Sequence, residues 1–315
     1  MPATSATAYG KIILFGEHAV VYGHPAIAIP VTNVSAKAIV TANPGGNPDQ
    51  IVIDAPNINM KCDIDSLPKD HPFSRLISEI IQRLGVKSLP SFNLRIKSSI
   101  PIAAGLGSGA AVSISAIRAI TEFVGSPLDT ELVSNMAFEI EKIYHGTPSG
   151  IDNTVIAYEQ PIYFIKNYPF EVLSVAEPFF LVIADSGLQS RTSYVVNQVK
   201  TRWENNPALY DQMFNEIGEV SKQSREFIIN GPVSQLGNLM NKNQSLLLRM
   251  GVSNDSLENL IKTAINHGAM GAKLSGAGQG GNIIALVSEK DAGMIAEKLL
   301  QAGAVNTIIT QVKPA

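Results

Sequence analysis

Cysteine is almost missing from this chain: Cys62 is the single one in 315 residues. An intrachain disulfide is therefore excluded, and so is a cysteine-rich metal site. The scarcity suits a reducing compartment. Long apolar runs are missing too. The longest uninterrupted one is FFLVIA, Phe179–Ala184, whereas a membrane-spanning helix needs about 20 apolar residues. The first stretch, MPATSATAYGKIILFGEH, carries no basic leader, and its apolar run Ile12–Phe15 is too short for the core of a secretory signal. Nor is there a basic excess. Lys and Arg number 24 against 27 Asp and Glu, a formal net charge of -3, so a nucleic-acid backbone finds little to neutralise it. These absences predict a soluble cytoplasmic protein with neither a nucleic-acid nor a membrane partner. A small anionic ligand stays open, because local lysines and glycine loops bind one without a global charge.

What is present is an ordinary globular composition, 45% hydrophobic and 16% charged. The length exceeds a single typical core and suits two domains of about 150 residues. KIILFGE, AIAIPV, AKAIVTA and QIVIDA read as strands, with turn residues such as NPGGNPD between them. Apolar spacing predicts a helix over Pro72–Leu84, ended by Gly85. FNLRIKSSIP alternates as a strand, and two helices follow, one reaching Val124 and one over Leu128–Tyr144. PIYFIKNY, FEVLSV and FFLVIADSG return to strand character. From Thr192 to Asn230, and again from Val233 to Met250, the pattern is helical. Leu257–His267 and a segment near Ala292–Gln301 are further helices, with strands at GNIIALV and NTIITQVK. Strands and helices mixed in both halves imply two α+β domains, 1–166 and 167–315.

Four stretches hold residue types that do chemistry. PIAAGLGSGAA, from Pro101, sets Gly105, Gly107, Ser108 and Gly109 between a strand and a helix. Glycines let the backbone approach a ligand, and the unpaired N–H groups of a first helical turn bind phosphate oxygens. A plain strand–helix turn with a serine cap reads equally well from this segment alone. No Walker A pattern is present, and GLGSGA does not complete G-x-G-x-x-G, so the common nucleotide folds lose ground. KLSGAGQGG, Lys273–Gly281, is a second glycine cluster, for which a hairpin loop is the bland reading. In GKIILFGEHAVVYG, Lys11, Glu17, His18 and Tyr22 are polar groups among apolar strand residues. In FEIEKIYHGTPSGIDN, Glu141 and His145 are four apart on one helical face, and Asp152 follows a Pro-Ser-Gly turn. Zinc would need three ligands at fitting spacing, and no second histidine stands near His145.

Taken in chain order, GKIILFGEHAVVYG, PIAAGLGSGAA, HGTPSGIDN and KLSGAGQGG resemble the GHMP kinase superfamily, and within it the mevalonate kinases. The resemblance implies a two-domain GHMP kinase fold: an N-terminal domain like ribosomal protein S5 domain 2 and a ferredoxin-like C-terminal domain. It implies ATP- and Mg²⁺-dependent phosphorylation of the 5-hydroxyl of (R)-mevalonate in isoprenoid synthesis. Carried over by position, Asp152 receives the hydroxyl proton, as true base or as electrostatic orienter, and Lys11 assists it. Glu141 and Ser108 hold Mg²⁺. Pro101, Ala104, Gly105, Leu106, Gly107, Ser108, Gly109 and Ala110, with Gly276 and Gly278, surround the nucleotide. Glu17, His18, Ser149 and Asp152 meet mevalonate, and a homodimer is implied as well. The chain departs from the pattern at Gly109, where a second serine is usual, which leaves the serine part of the metal shell open. The rivals are phosphomevalonate kinase, a mevalonate 3-kinase, the ATP-dependent mevalonate diphosphate decarboxylase, and a silent metabolite sensor on the same fold. Phosphorylated substrates call for more Arg or Lys than the Lys11 and Lys273 seen in these stretches, and intact Lys11, Glu141 and Asp152 argue against a silent sensor.

Overall fold

The computed structural model describes residues 3–101, 104–145, 148–190 and 192–314. The chain forms two compact units. The first comprises Met1–Gly10, Val34–Pro101 and Gly107–Glu159, and the second Lys11–Asn33, Ile102–Leu106 and Gln160–Ala315. The units thus interleave along the chain rather than dividing once. Residues 11–33 and 102–106 join the second unit, and the last switch falls at Glu159–Gln160.

In the first unit the elements run in chain order: β1 (Thr4–Phe15, continuing into the second unit), β2 (Ala26–Ala42, which enters from it), β3 (Ile51–Ala55) and β4 (Met60–Asp63). Next come α1 (Pro72–Leu84), β5 (Phe92–Ser98), α2 (Ser108–Phe123), α3 (Thr130–His145) and α4 (Ile151–Tyr158). The later half of β2 pairs antiparallel with β5, β5 runs parallel to β3, and β3 pairs antiparallel with β4. Alternation does the sorting. Phe92, Leu94 and Ile96 of β5 are buried, while Arg95 and Lys97, on the alternate positions, face solvent. The expected α1 forms over its full span. Pro72 starts it, His71 Nδ1 accepts from the Phe73 N–H at 3.3 Å, and Gly85 closes it in the left-handed region.

In the second unit β6 (Ile162–Phe164) pairs with Ala26–Ala28 and with β7 (Glu171–Val172). There follow β8 (Phe179–Asp185), α5 (Thr192–Asn205), α6 (Pro207–Asn230), α7 (Gln235–Met250), α8 (Asp255–Asn266), β9 (Gly271–Ser275), β10 (Asn282–Val287), α9 (Ala292–Gln301) and β11 (Asn306–Val312). The last four strands build an antiparallel sheet in the order β11-β8-β10-β9. Val182 and Ala184 of β8, Ile283 and Ala285 of β10, and helix residues such as Phe214, Ile217, Leu247, Leu260 and Leu299 share one buried core.

Differences from the sequence reading have local causes. AIAIPV and AKAIVTA lie in one strand, Ala26–Ala42, which continues through exposed Thr32 and Asn33 and buried Val34. The helical run after Thr192 is two helices. Pro207 lacks an N–H and begins α6, capped by Asn206. The unexpected α4 is short and almost wholly buried, so it shows no apolar–polar period.

The approach of α7 to β9 depends on two glycines. A Cβ on Gly271 would lie 2.1 Å from the Gly237 carbonyl oxygen and 2.5 Å from its Cα, and one on Gly237 would lie 2.4 Å from the Met270 oxygen. We expect Gly271→Ala to cost about 1–3 kcal/mol as the helix is pushed off the strand. The measurement is the denaturant midpoint, and an unshifted midpoint would contradict this packing.

Candidate functional site

Three helices of the first unit bear the acidic residues and the start of the phosphate-type loop. Helix α2 begins at Ser108 with Gly107 as its cap, in the left-handed conformation, and no side chain satisfies its first N–H groups at that cap. Gly109 and Ala110 already lie within the helix, and Ala110 is buried. Helix α3 carries Glu141, which is buried. Helix α4 carries Asp152 in its first turn, where a carboxylate faces the positive end of the helix dipole. Ser149 sits just ahead, its Oγ accepting from the Ile151 N–H at 3.4 Å.

Side chains that the sequence reading did not single out lock these helices together. Asn153 Nδ2 donates to the Ser134 carbonyl at 3.1 Å and to Ser134 Oγ at 2.9 Å, joining α4 to α3. Arg118 on α2 bonds Glu159 at 2.7 Å and the Ala157 carbonyl at 2.6 Å, joining α2 to the end of α4. Lone polar residues inside apolar helices carry no periodic signal, so the sequence alone does not mark them. His145 is placed only by its backbone at the end of α3.

In the second unit the residues that lead into Gly107, Ala104–Leu106, meet the second glycine stretch. Lys11 on β1 is buried, and its backbone N–H donates to the Leu106 carbonyl at 3.0 Å. Asn282, the first residue of β10, donates from Nδ2 to the Ala104 carbonyl. Residues 104–106 are therefore pinned between β1 and the second glycine loop. That loop, Gly276–Gly281, joins β9 to β10 as the expected hairpin, with Ser275 opposite Asn282. Its glycines differ in purpose. A Cβ on Gly278 would lie 2.1 Å from the Val252 carbonyl and one on Gly280 2.4 Å from that of Leu188, so packing dictates those two. Gly276 and Gly105 have nothing within 4 Å of that position, which leaves their backbone open to a ligand. Pro101, at the end of the first unit's central run, is half-buried.

Glu17 and His18 follow β1. The Ala19 N–H donates to the Glu17 carbonyl at 2.7 Å, and His18 has φ 60 and ψ -49. This is a γ-turn of the rare, strained kind. His18 Nε2 lies 2.8 Å from the Ala277 carbonyl. A carbonyl only accepts, so Nε2 carries the proton. Burial pushes the His18 pKa down to about 4, partly offset by that hydrogen bond. The ring is therefore neutral at pH 7, and Nδ1 is a hydrogen-bond acceptor. Glu17 is 1% exposed and Lys273 0%. The Lys273 ammonium pairs with Glu17 Oε1 and also donates to the Leu274 carbonyl at 2.6 Å, while Asn243 Nδ2 donates to Glu17 Oε2 at 3.2 Å. Burial pushes Lys273 below the ordinary lysine range, and the Glu17 charge opposes that shift. Tyr22, four residues after His18, stacks on Phe214 of α6 at 4.1 Å between ring centroids.

Backbone amides left open at a helix start, beside a carboxylate-bearing helix pair, are a device for holding and transferring phosphate. The class is that of small-molecule kinases. The model of the GHMP kinases N terminal domain matches residues 73–160, and that of the GHMP kinases C terminal domain matches residues 224–305. The mevalonate kinase of Pyrococcus abyssi is 35% identical over 311 residues, covering 90% of this chain and 89% of that protein. The mevalonate kinase of Thermococcus sibiricus is 33% identical over 299 residues, covering 90% and 89%. The crystal structure of L. major mevalonate kinase in complex with R-mevalonate superposes with a TM-score of 0.80 at 28% identity, covering 99% of this chain and 96% of that one. The chain belongs to the GHMP kinase family, with that family's two-domain α+β fold and its use of ATP.

The buried imidazole makes stability depend on pH. Between about 4, the folded value, and 6.5, the ordinary one, the unfolded chain binds a proton that the folded chain refuses. Stability therefore falls as pH drops through this window, by about 3 kcal/mol in all for a shift of this size. We expect His18→Asn, a residue that tolerates positive φ, to flatten this part of the profile. Denaturant melts from pH 7 to pH 4 provide the check, and an unchanged slope would show that other groups carry the acid sensitivity.

Proposed function

We propose that this chain transfers the γ-phosphoryl group of ATP to the 5-hydroxyl of (R)-mevalonate. One observation carries the reading: Lys11, the Ala104–Leu106 segment, the Gly276–Gly281 loop and Asn282 at its end are brought into a single cluster. The names and extent of the relatives support the substrate. In the reaction the hydroxyl oxygen bonds to the γ-phosphorus, and the bond from that phosphorus to the bridging oxygen of the β-phosphate breaks. ADP leaves, and the hydroxyl proton passes to Asp152 and then to solvent. Phosphoryl transfer of this kind is loose, so positioning and charge neutralisation do most of the work. The open amides before and within the first turn of α2, with Gly105 and Gly276, hold phosphate oxygens. Lys11 offsets charge that develops on the transferring group.

The donor set suits a metal that arrives with the nucleotide. Among the described residues no three His, Cys, Asp or Glu side chains cluster for a resident ion. A magnesium ion in such kinases uses one or two carboxylates and takes its other ligands from phosphate and water. Glu141, buried on α3, is a fitting carboxylate, and Ser108 at the start of α2 brings the hydroxyl, Gly109 having none. Bound there, Mg²⁺ would supply neutralisation of phosphate charge.

For the substrate, neutral His18 offers Nδ1 to a hydroxyl rather than a cation to a carboxylate. Ser149 at the mouth of α4 is a further contact. Lys273 is consumed by Glu17, which removes one of the two lysines in the family stretches from any role in binding a second phosphate. This favours mevalonate over phosphomevalonate. The free, half-buried Cys62 suits a cytoplasmic setting.

Measured ADP release with mevalonate, phosphomevalonate, diphosphomevalonate, homoserine and galactose, with product masses, tests the reading. We expect turnover of mevalonate to a product heavier by one phosphoryl group, with no CO₂ released. Asp152→Ala should lower kcat by about 10²-fold or more. Turnover of another compound with none of mevalonate would overturn the substrate assignment.

A further inference from the structure

Within the second unit, a buried carboxylate paired with a buried ammonium stands immediately before a strained turn. The Glu17 side chain is held at both oxygens, by Lys273 from β9 and by Asn243 from α7. Its own carbonyl closes the γ-turn centred on His18. The His18 ring is fixed at Nε2 by Ala277, four residues beyond Lys273 on the same strand and loop. Two residues from Lys273, Ser275 Oγ donates to the Ile13 carbonyl at 2.8 Å and accepts from the Ile13 N–H at 3.2 Å. β9 and its loop thus grip the end of β1 at Ile13, Glu17 and His18.

A non-glycine residue at φ 60 and ψ -49 persists only where its surroundings over-determine it. The side chain of His18 is held by one bond, the backbone after it by Val20 N–H to the Gly16 carbonyl at 3.1 Å and Val21 N–H to the His18 carbonyl at 3.0 Å, and the residue before it through the Glu17 side chain. Nδ1 makes no hydrogen bond among the described residues. Relaxation of the turn would swing this acceptor away while leaving the rest of the core packed.

We propose that Lys273 is a positioning residue for substrate recognition. By holding the Glu17 carboxylate it keeps the turn at His18 strained and aims Nδ1 at the substrate hydroxyl. The identity of the substrate rests on the function proposed above, but the geometry of the turn does not.

Lys273→Met and Lys273→Met/Glu17→Gln test it. The single variant strands a buried carboxylate, so its melting temperature falls. The double variant removes the stranded charge, and neutral groups of similar shape restore stability towards wild type. We expect KM for mevalonate in the double variant to stay raised about tenfold, the size of effect that released strain of this kind produces, with kcat changed less. Proton–nitrogen NMR of the His18 ring should change from one Nε2–H tautomer to an exchanging mixture. Recovered stability together with wild-type KM and an unchanged ring spectrum would make Lys273 a structural residue only and overturn the proposal. Should the double variant not fold, Glu17→Asp keeps the charge but withdraws the carboxylate by one methylene, and the same two readouts decide. A wild-type enzyme that shows the single tautomer but leaves mevalonate untouched would sink the substrate reading, and the NMR arm alone would then judge the turn.

Discussion

Taking a carboxylate and an ammonium out of water together is expensive, and the second unit does so at Glu17 and Lys273. The cost is offset only by close geometry and by further bonds to the remaining polar atoms. Lys273 has the Leu274 carbonyl and Glu17 has Asn243 for that purpose. The elements involved, β1 with its following turn, β9 and α7, cannot shift separately without stranding a charge. Their alignment in turn sets His18 against Ala277 and Ser275 against Ile13. One buried pair thus constrains the glycine hairpin and the segment that carries Lys11.

The glycines around that pair answer to two different demands. At Gly237, Gly271, Gly278 and Gly280 the absent side chain is replaced by another stretch of backbone, so these residues belong to packing. At Gly105 and Gly276 the space is open. Phosphate recognition by backbone amides needs the second kind, yet it depends on the first kind to keep the loop rigid. A rigid loop loses less entropy when a nucleotide binds and holds its N–H groups where charge develops.

In the first unit the same economy appears among helices. Asp152 and Glu141 sit on helices rather than on loops; Asn153 bonds α4 to α3, and Arg118 bonds the end of α4 to α2. Asn153 Oδ1 is nonetheless buried without a partner, as is Asn243 Oδ1 in the second unit. An unmade hydrogen bond of this kind costs about 1–3 kcal/mol. The other end of Asn243 holds the buried Glu17 carboxylate, and the other end of Asn153 ties α4 to α3 at Ser134.

Much of this was legible from residue order alone. Pro72 and Gly85 bracket α1, alternation marks β5, and the glycine stretches at 105–109 and 276–281 announce backbone meant to approach something. Local steric and hydrogen-bonding rules act over a few residues, so a one-dimensional reading captures them. The family resemblance in GEHAVVYG and HGTPSGIDN likewise lies in contiguous residues. Tertiary structure alone decided that Glu17 is spent on Lys273, 256 positions away, that Gly278 serves Val252, and that residues 11–33 and 102–106 join the second unit. It also decided that His18 is neutral. Burial and partnership depend on which distant segments arrive at the same point. Water is excluded there by the packed whole, and no local pattern encodes that exclusion.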